Sequence, residues 1–256
     1  MRLEGKVAFV TGADSGIGQA IAMAYASEGA DIAICYHSDR EGIVETESFI
    51  KKTGRKVLVI KIDVSKEKQV VNALDRAEKH FGKVDILINN AAVNGSNVPL
   101  AQMETDQFDT VIRTNVYSIF FATRWLAQRA EASRGAKIIN ISSVHEDIAA
   151  AGNSDYNASK GAVRMFMRTM ALELAPFGIT VNNIGPGMIL TPMNQQAMDS
   201  KSVRESKSEH IPIGRPGEPI EIAKLAVFLA SSDADYVTGS TYFMDGGLMV
   251  NMGQGA

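Results

Sequence analysis

Short apolar runs alternate along the chain with longer stretches in which apolar residues recur every three or four positions. The first pattern is typical of buried β-strands, and the second of the amphipathic helices that cover them. The predicted strands are Val7–Val10, Ile32–Tyr36, Val57–Ile62, Ile86–Asn89, Lys137–Ile141, Thr180–Ile184 and Thr241–Met244. The predicted helices are Ile17–Glu28, Glu41–Lys52, Glu67–His80, Asp106–Ala132, Tyr156–Ala175 and Pro219–Leu229.

This alternation predicts an α/β fold. Strands separated by helices of this length are joined by right-handed crossovers, which give a parallel sheet with helices on both faces. We expect one domain over residues 1–256, a single-domain Rossmann fold with a doubly wound parallel sheet of about seven strands. Residues 188–215 are polar and show no clear strand. Such an irregular insertion predicts a substrate loop or lid, with a surface excursion as the alternative.

Composition and charge exclude several classes of function. The 256 residues carry a net charge of −3, with 45% hydrophobic residues, which argues against nucleic-acid and anionic-membrane partners. No apolar run approaches the roughly 20 residues of a membrane span. Cys35 is the only cysteine and the four histidines are scattered, so no disulfide or metal site is expected. We expect Cys35 to be a buried, inert thiol and the protein to be cytoplasmic.

Polar and glycine-rich segments follow the carboxyl ends of the predicted strands, where open α/β sheets bind their ligands. Gly12, Gly16 and Gly18 follow the first strand in the sequence TGADSGIG. Glycines let the backbone approach a pyrophosphate, and the following helix offers free N–H groups; a plain strand-to-helix turn is the alternative. The other strands are followed by Asp63, Asn89–Ala92, Ser143 and Pro186–Thr191.

One predicted helix carries a tyrosine and a lysine at a spacing that suits proton transfer. Tyr156 and Lys160 are four residues apart and share a helix face, and Ser143 lies thirteen residues before Tyr156. A phenol has a reference pKa near 10, but a neighbouring ammonium favours the phenolate. Lowering the Tyr156 pKa by roughly two to three units would poise it for catalysis. Taken alone, the pair also fits an ordinary surface Tyr and Lys.

Together these segments resemble the short-chain dehydrogenase/reductase family over nearly the whole chain. The matching segments are TGADSGIG (11–18), DV (63–64), NNAA (89–92), Asn115, ISSV (141–144), YNASK (156–160), NNIGPGMILTP (182–192) and DYVTGSTYFMDGG (235–247). Ala92 departs from the pattern, because the family usually has glycine there. Its methyl group would narrow the cofactor pocket.

The resemblance implies an NAD(P)-dependent oxidoreductase that acts on CH–OH groups. Tyr156 would be the general acid/base, and Lys160 would lower its pKa and bind the nicotinamide ribose. Ser143 would hold the substrate oxygen, and Asn115 would anchor a water of a proton relay. The implied cofactor-binding residues are Gly12, Ser15, Gly16, Ile17, Gly18, Tyr36, His37, Ser38, Asp63, Val64, Asn90, Ala91, Ala92, Tyr156, Lys160, Pro186, Gly187, Ile189 and Thr191. Family members are usually tetramers, so we expect a homotetramer.

The end of the second predicted strand bears on the choice of cofactor. An acidic residue there binds the ribose 2′-OH of NAD and repels the 2′-phosphate of NADP, but this chain has Tyr36. His37, Ser38 and Arg40 could hold a phosphate. Ser15 stands where a basic residue often assists NADP binding. We expect NADP or NAD, with NADP favoured.

Within the family, the segments SSVHE (142–146) and NNIGPGMILTPMN (182–194) look like bacterial glucose 1-dehydrogenases. This similarity predicts oxidation of a sugar or polyol, whose hydroxyls would bind Asn94, His145, Glu146, Asn153 and Asn194. Solvated loop residues would explain the same side chains. An acyl groove formed by Met188, Ile189, Met193 and Met198 would instead suit a 3-oxoacyl-thioester reductase. A non-enzymatic NADP-binding redox sensor is a third hypothesis.

Overall fold

The structure, a computed structural model, describes residues 1–251 and centres on one parallel sheet. The strands are β1 (Val7–Thr11), β2 (Asp31–Tyr36), β3 (Val57–Lys61), β4 (Ile86–Asn89), β5 (Lys137–Ile141), β6 (Thr180–Pro186) and β7 (Thr241–Met244). Their order is β3-β2-β1-β4-β5-β6-β7, and all neighbouring strands are parallel. The predicted Rossmann fold is confirmed. Residues 252–256 of the predicted domain lie outside the described residues.

Nine α-helices within residues 1–251 connect and cover these strands. They are α1 (Gly16–Ser27), α2 (Arg40–Lys52), α3 (Glu67–Phe81), α4 (Thr105–Ile112), α5 (Ser118–Ala127), α6 (Ser154–Leu174), α7 (Gln195–Asp199), α8 (Lys201–Ser208) and α9 (Pro219–Ala230). In this part of the chain, no helix is both long and apolar enough to cross a membrane.

The core has two halves because the sheet is covered on both faces. Val10 packs with Tyr25 of α1 in one hydrophobic cluster, which also includes residues of α9. Its neighbour Phe9 packs with Trp125 of α5 in the other, which also includes residues of α3 and α6. Adjacent residues of a strand point to opposite faces, so each central strand serves both clusters. This explains why β1, β2 and β4 are largely continuous apolar runs rather than alternating ones.

The predicted single helix Asp106–Ala132 is wrong in detail. Helix α4 passes into a π-helical turn at Arg113–Tyr117, which contains Asn115, and α5 then ends at Ala127. A π turn holds an extra residue in the helix and is frequent at functional sites. The long helix α6 ends as Pro176 and Gly178 predict. A 3₁₀ turn over Ala175–Phe177 follows it, and Gly178 has φ 69°.

The segment 188–215 also differs from its prediction. It is not wholly irregular, because it contains a 3₁₀ turn at Pro192–Asn194 and the helices α7 and α8. These helices have only five and eight residues, which is too short for a helical period to be recognised in the sequence.

Candidate active site

A cavity of about 1100 Å³ opens at the carboxyl edge of the sheet, at the switch point between β1 and β4. Most of the predicted site residues line it. They are Gly12, Ser15, Gly16, Ile17, Tyr36, His37, Asp63, Val64, Asn90, Ala91, Ala92, Ser143, Tyr156, Lys160, Pro186, Gly187, Ile189 and Thr191. Gly18, Ser38 and Asn115 do not line the cavity.

The glycine-rich turn between β1 and α1 forms one end of the cavity. Gly12 and Gly16 have φ values of 63° and 54°, which favour glycine. A side chain at Gly18 would collide with the carbonyl oxygen of Gly12 and the amide of Asn90. Gly18 therefore acts through packing that keeps the turn tight. The first turn of α1 opens beside it, and Ser15 makes no side-chain capping bond there. Free helix N–H groups at such a turn fit a pyrophosphate.

Thr11 and Asn90 lock the ends of β1 and β4 together. Asn90 Nδ2 donates to the carbonyls of Thr11 and Gly12, both at 2.9 Å. Thr11 Oγ1 accepts from the backbone N–H groups of Asn90 at 2.9 Å and Ala91 at 3.0 Å. Asn90 thus lines the cavity while its amide shapes the turn. Thr11 was not predicted; a threonine that directly precedes the glycine turn is the signal that could have identified it.

Polar and acidic side chains lie at and beside the end of β2. His37 lines the cavity, whereas Ser38 is exposed outside it and Asp39 caps α2 by accepting from Gly42 N at 2.9 Å. Asp14, which was not predicted, also lines the cavity. Burial raises its pKa above the ordinary range, and Asp39 adds to that rise. Cys35 lies at the same end and is buried as predicted, and burial raises the pKa of its thiol.

Ser143, Tyr156 and Lys160 meet on the opposite wall. Ser143 begins the 3₁₀ turn Val144–Glu146, and its Oγ accepts from His145 N at 3.2 Å. Lys160 is 2% exposed, and its Nζ donates to the carbonyl of Ile141 at 3.0 Å. The same Nζ lies 5.4 Å from the centroid of the Tyr156 ring. An ammonium, a phenol and a hydroxyl therefore share one enclosed wall.

The pKa of Tyr156 is raised, not lowered, in this structure. Burial raises it, and the Ser143 hydroxyl only partly offsets that effect. The predicted lowering by Lys160 is wrong for this structure, because enclosure of the phenol is the dominant cause and the one opposing contribution comes from Ser143. Burial lowers the pKa of Lys160 to about 8, against an upward contribution from Glu146. Near pH 7, therefore, the phenol is neutral while most of the lysine remains charged.

Asn115 lies behind the cavity rather than in its wall. Its side chain clamps Val93, accepting from the backbone N–H at 2.9 Å and donating to the carbonyl at 3.1 Å. It also donates to Ser159 Oγ of α6 at 3.2 Å. The amide thereby joins the loop after β4 to α6, and both of its N–H groups are used within the protein.

The remaining lining residues form a mixed polar and apolar pocket. Asn94, His145, Asn153 and Asn194 line the cavity as predicted, but Glu146 is buried beneath it. Met188, Ile189 and Met193 also line it. Met198 does not, and it is 43% exposed.

This combination of fold and site defines the class of a Rossmann-type oxidoreductase. A family model described as Enoyl-(Acyl carrier protein) reductase matches residues 12–249. Glucose 1-dehydrogenase 2 of Bacillus subtilis is 39% identical over 247 residues, which cover 96% of this chain and 95% of the relative. Among solved structures, a short-chain dehydrogenase/reductase from Serratia marcescens is 36% identical with a TM-score of 0.90, over 97% of this chain and 99% of the other. Acetoin dehydrogenase from Enterobacter cloacae is 36% identical with a TM-score of 0.89, over 98% and 99%.

The chain therefore belongs to the short-chain dehydrogenase/reductase family. Members of this family are oxidoreductases that act on alcohol or carbonyl groups and use NAD or NADP. The predicted family and reaction class are confirmed.

Proposed function

We propose that this protein transfers a hydride between NADP or NAD and a secondary alcohol or carbonyl, and that the substrate is a sugar or polyol. The observation that carries the proposal is the convergence of Ser143, Tyr156, Lys160 and the glycine-rich turn on one cavity.

The lining residues fit a dinucleotide. The turn from Gly12 to Gly18 would hold the pyrophosphate, Asp63 and Val64 the adenine, and Ile189 and Thr191 the carboxamide. Gly16 and Thr191 lie close together, since a Cβ at Gly16 would be 3.1 Å from the Thr191 side chain, so the two ends of the proposed dinucleotide site meet at this glycine. When bound, the nicotinamide supplies or accepts the hydride.

The protein's own part in the reaction is to position the substrate and move a proton. Ser143 Oγ would hold the substrate oxygen, and the Tyr156 hydroxyl would give its proton to a carbonyl or take one from an alcohol. Because burial disfavours the phenolate, Tyr156 rests as a phenol. The charged Lys160 would stabilise the phenolate as it forms, which is the type of interaction that lowers a barrier.

Asn115 would serve the proton relay through its backbone. Its side chain is committed to Val93 and Ser159, so we assign the water to its carbonyl group. The π turn interrupts the regular pattern of helical hydrogen bonds at this point, which supports the assignment.

The polar part of the pocket favours a substrate rich in hydroxyl groups. Asn94 donates to the Met193 carbonyl at 3.1 Å, and Asn194 donates to the Ile189 carbonyl at 2.8 Å. Asn153 donates to Asn97 Oδ1 at 2.9 Å. Each of these bonds uses one N–H of an amide, and the three amide oxygens remain as acceptors for O–H groups. The similarity to a glucose 1-dehydrogenase agrees with such a substrate.

The choice of cofactor follows from the end of β2. The Tyr36 position carries no carboxylate, and His37 lines the cavity, which favours a 2′-phosphate. Asp14 opposes it through like charge. We propose NADP over NAD, with both accepted. A kcat/KM that is much larger with NAD than with NADP would reject this preference.

The second candidate function is reduction of a 3-oxoacyl thioester. Met188, Ile189 and Met193 give the cavity an apolar wall that an acyl chain could contact, and the matching family model carries the description of an acyl-carrier-protein reductase. The segment 188–215, which supplies this wall, would act as the lid in either case.

One screen separates these functions. Purified protein is mixed with NADP or NAD and a panel of sugars, polyols, small ketones and a 3-oxoacyl thioester, and the absorbance of reduced nicotinamide is followed. Turnover of sugars or polyols is expected. Turnover of the thioester alone would favour the second candidate. Tight cofactor binding without turnover across the panel would favour a redox sensor and defeat the proposal.

A further inference from the structure

Charged side chains of opposite sign line different ends of the cavity. Among the lining residues in the part of the chain that the structure describes, the only carboxylates are those of Asp14 and Asp63, and the only lysines are Lys160 and Lys207. Asp14 and Asp63 follow β1 and β3. The order of the strands places both on the β3 side of the switch point between β1 and β4. A ligand in the cavity therefore meets carboxylates at the end proposed for adenosine and, among the described residues, none on the β4 side.

Lys207 belongs to the opposite end of the cavity, because its helix is tied to the end of β7. Lys207 lies in the last turn of α8. Shortly after this helix, the backbone N–H of Ile213 donates to the carbonyl of Gly246 at 3.1 Å. Gly246 follows β7, which forms the edge of the sheet opposite β3. Lys207 therefore reaches the cavity from the side on which Ser143, at the end of β5, would hold the reacting oxygen.

The amine of Lys207 is not used by the protein. Within residues 1–251 it has no ion-pair or hydrogen-bond partner, whereas Lys201 of the same helix pairs with Glu205 at 3.5 Å and does not line the cavity. A lysine in the last turn of a helix interacts favourably with the helix dipole, but that role does not require it to face the cavity. An unpaired cation at the cavity is free to bind an anionic group of a ligand.

The phosphates of the cofactor have partners elsewhere. The glycine-rich turn after β1 would hold the pyrophosphate, and His37 at the end of β2 would face a 2′-phosphate. Both positions lie on the β3 side of the switch point. The nicotinamide, which would lie beside Ile189 and Thr191, carries no anionic group of its own. The anion that suits Lys207 is therefore part of the substrate.

We propose that Lys207 binds a carboxylate of the substrate, and that the preferred substrates are polyhydroxy acids of the aldonate class rather than neutral sugars. The inference rests on the proposed function and narrows its substrate class. The amide oxygens of Asn94, Asn153 and Asn194 would accept from the hydroxyl groups, while the Lys207 amine donates to the acid.

The carboxylate takes no part in the redox step. A secondary alcohol of the acid loses a hydride from carbon to the oxidised nicotinamide, and its hydroxyl proton leaves through Tyr156. The alcohol carbon becomes a carbonyl, so the product is a keto acid that keeps the carboxylate bound to Lys207. In the reverse direction the reduced nicotinamide returns the hydride and Tyr156 returns the proton.

Matched pairs of compounds test the charge of the substrate. Each aldonate is compared with the alditol of the same configuration, which has the same secondary alcohols but a neutral hydroxymethyl group in place of the carboxylate. We expect the parent protein to show the higher kcat/KM with the aldonate. In Lys207→Gln, the ratio of kcat/KM for aldonate to that for alditol should fall roughly tenfold, the low end of what a hydrogen bond to a charged group contributes. Most of this fall should appear in the KM for the aldonate, because the carboxylate is bound equally before and during the reaction.

Two further variants and a binding measurement complete the test. Lys201→Gln is the matched control, since it removes a lysine of the same helix that does not line the cavity, and the ratio should stay unchanged. Lys207→Arg keeps the charge and should keep most of the preference. Binding of gluconate to the complex with NADPH is followed by NADPH fluorescence. No reaction occurs in this complex, because oxidation of an alcohol needs the oxidised cofactor. The Kd for gluconate should rise roughly tenfold in K207Q, with no change in the Kd for NADPH.

Turnover of alditols and aldonates with equal kcat/KM in the parent protein, or an unchanged ratio in K207Q, would overturn the inference and leave the proposed function intact. Weaker binding of NADPH by K207Q with an unchanged ratio would assign the lysine to the cofactor, and a lower melting temperature alone would assign it to the end of α8. Absence of turnover with every compound would instead defeat the proposed function. The Kd for gluconate in the NADPH complex would then still decide whether Lys207 recognises a carboxylate.

Discussion

The residues of the proposed catalytic wall show how one environment acts on two groups in opposite ways. Enclosure disfavours charge, so it raises the pKa of Tyr156 and lowers that of Lys160. The two shifts move the pKa values apart, since the phenol rises from 10.0 while the amine falls from 10.5 to about 8. Enclosure therefore favours the neutral form of each group, and a charge on either one needs a partner close by.

Replacement of Tyr156 by phenylalanine tests the proton-transfer step. The ring still packs against His145, so the fold should persist, but the hydroxyl that exchanges a proton with the substrate is gone. We expect kcat to fall by roughly 10²–10⁴-fold, the usual contribution of a positioned acid or base. Circular dichroism and steady-state rates measure the two effects. Undiminished rates in a folded variant would remove Tyr156 from the mechanism.

Lys160→Met should alter the pH dependence of stability. The folded-state pKa of about 8 lies below the ordinary 10.5, so between these values the unfolded chain holds more protons. The free energy of unfolding of the parent protein therefore rises with pH through this window, by roughly 3 kcal/mol for this group. Below pH 8 the cost of burying the charged Lys160 is present in full. A methionine at position 160 carries no charge, so the free energy of unfolding of K160M lacks this rise with pH.

Urea unfolding at pH 7 and pH 10 measures the difference. The free energy of unfolding of K160M minus that of the parent protein should be larger at pH 7 than at pH 10. The lost bond to the Ile141 carbonyl affects both pH values equally. Parallel pH dependence of the two proteins would contradict the assigned pKa.

At the scale of elements, the turn between β1 and α1 depends on close approach of backbones. In Gly18→Ala the new methyl group would meet the Gly12 carbonyl, which cannot move aside as a flexible side chain could. We expect a loss of about 1–3 kcal/mol, the range for overpacking, and weaker cofactor binding. Ser15→Ala, in the same turn, removes no capping bond and should leave the melting temperature unchanged. Equal stability of the two variants would show that the turn can relax.

The proposed lid, residues 188–215, can be probed by trypsin. Helix α8 carries Lys201, Arg204 and Lys207, and Lys207 lines the cavity. If the segment closes over bound ligands, cleavage at these residues should slow several-fold when NADP and a substrate are added together. Mass spectrometry of timed digests identifies the sites. A cleavage rate that is unchanged by NADP and substrate would indicate that residues 188–215 are a surface excursion.

The bounds of some elements agree with the prediction from the sequence, whereas other local features do not. Strands β4, β5 and β7 have their predicted ends, because apolar runs bounded by polar residues depend on local chemistry. The π turn around Asn115 was missed, since one inserted residue leaves the helical apolar period nearly intact. Glu146 was predicted to bind substrate hydroxyls, but its side chain is buried outside the cavity. Only the packing of the 3₁₀ turn against β6 and α6 turns this side chain inward.

At the scale of the whole molecule, the expected homotetramer remains a proposal. Leu172 of α6 is 79% exposed and Met165 of the same helix is 58% exposed, which is unfavourable in an isolated chain. We predict that the protein sediments as a tetramer and that Leu172→Glu dissociates it. Val44→Glu on α2, where the parent valine is 52% exposed, is the control and should leave assembly intact. Sedimentation of the parent protein as a monomer would reject the proposal.

The sulfur-containing side chains around the cavity determine which part of this protein is most sensitive to oxidation. The single thiol is sealed at the end of β2, so it offers no route to crosslinking between chains. The thioethers of Met188 and Met193 line the cavity, and Met193 is 43% exposed. Peroxide would therefore convert part of the substrate wall to polar sulfoxide while leaving the dinucleotide end untouched. Oxidation should therefore first raise the KM for the substrate, and methionine sulfoxide reductases should reverse this change.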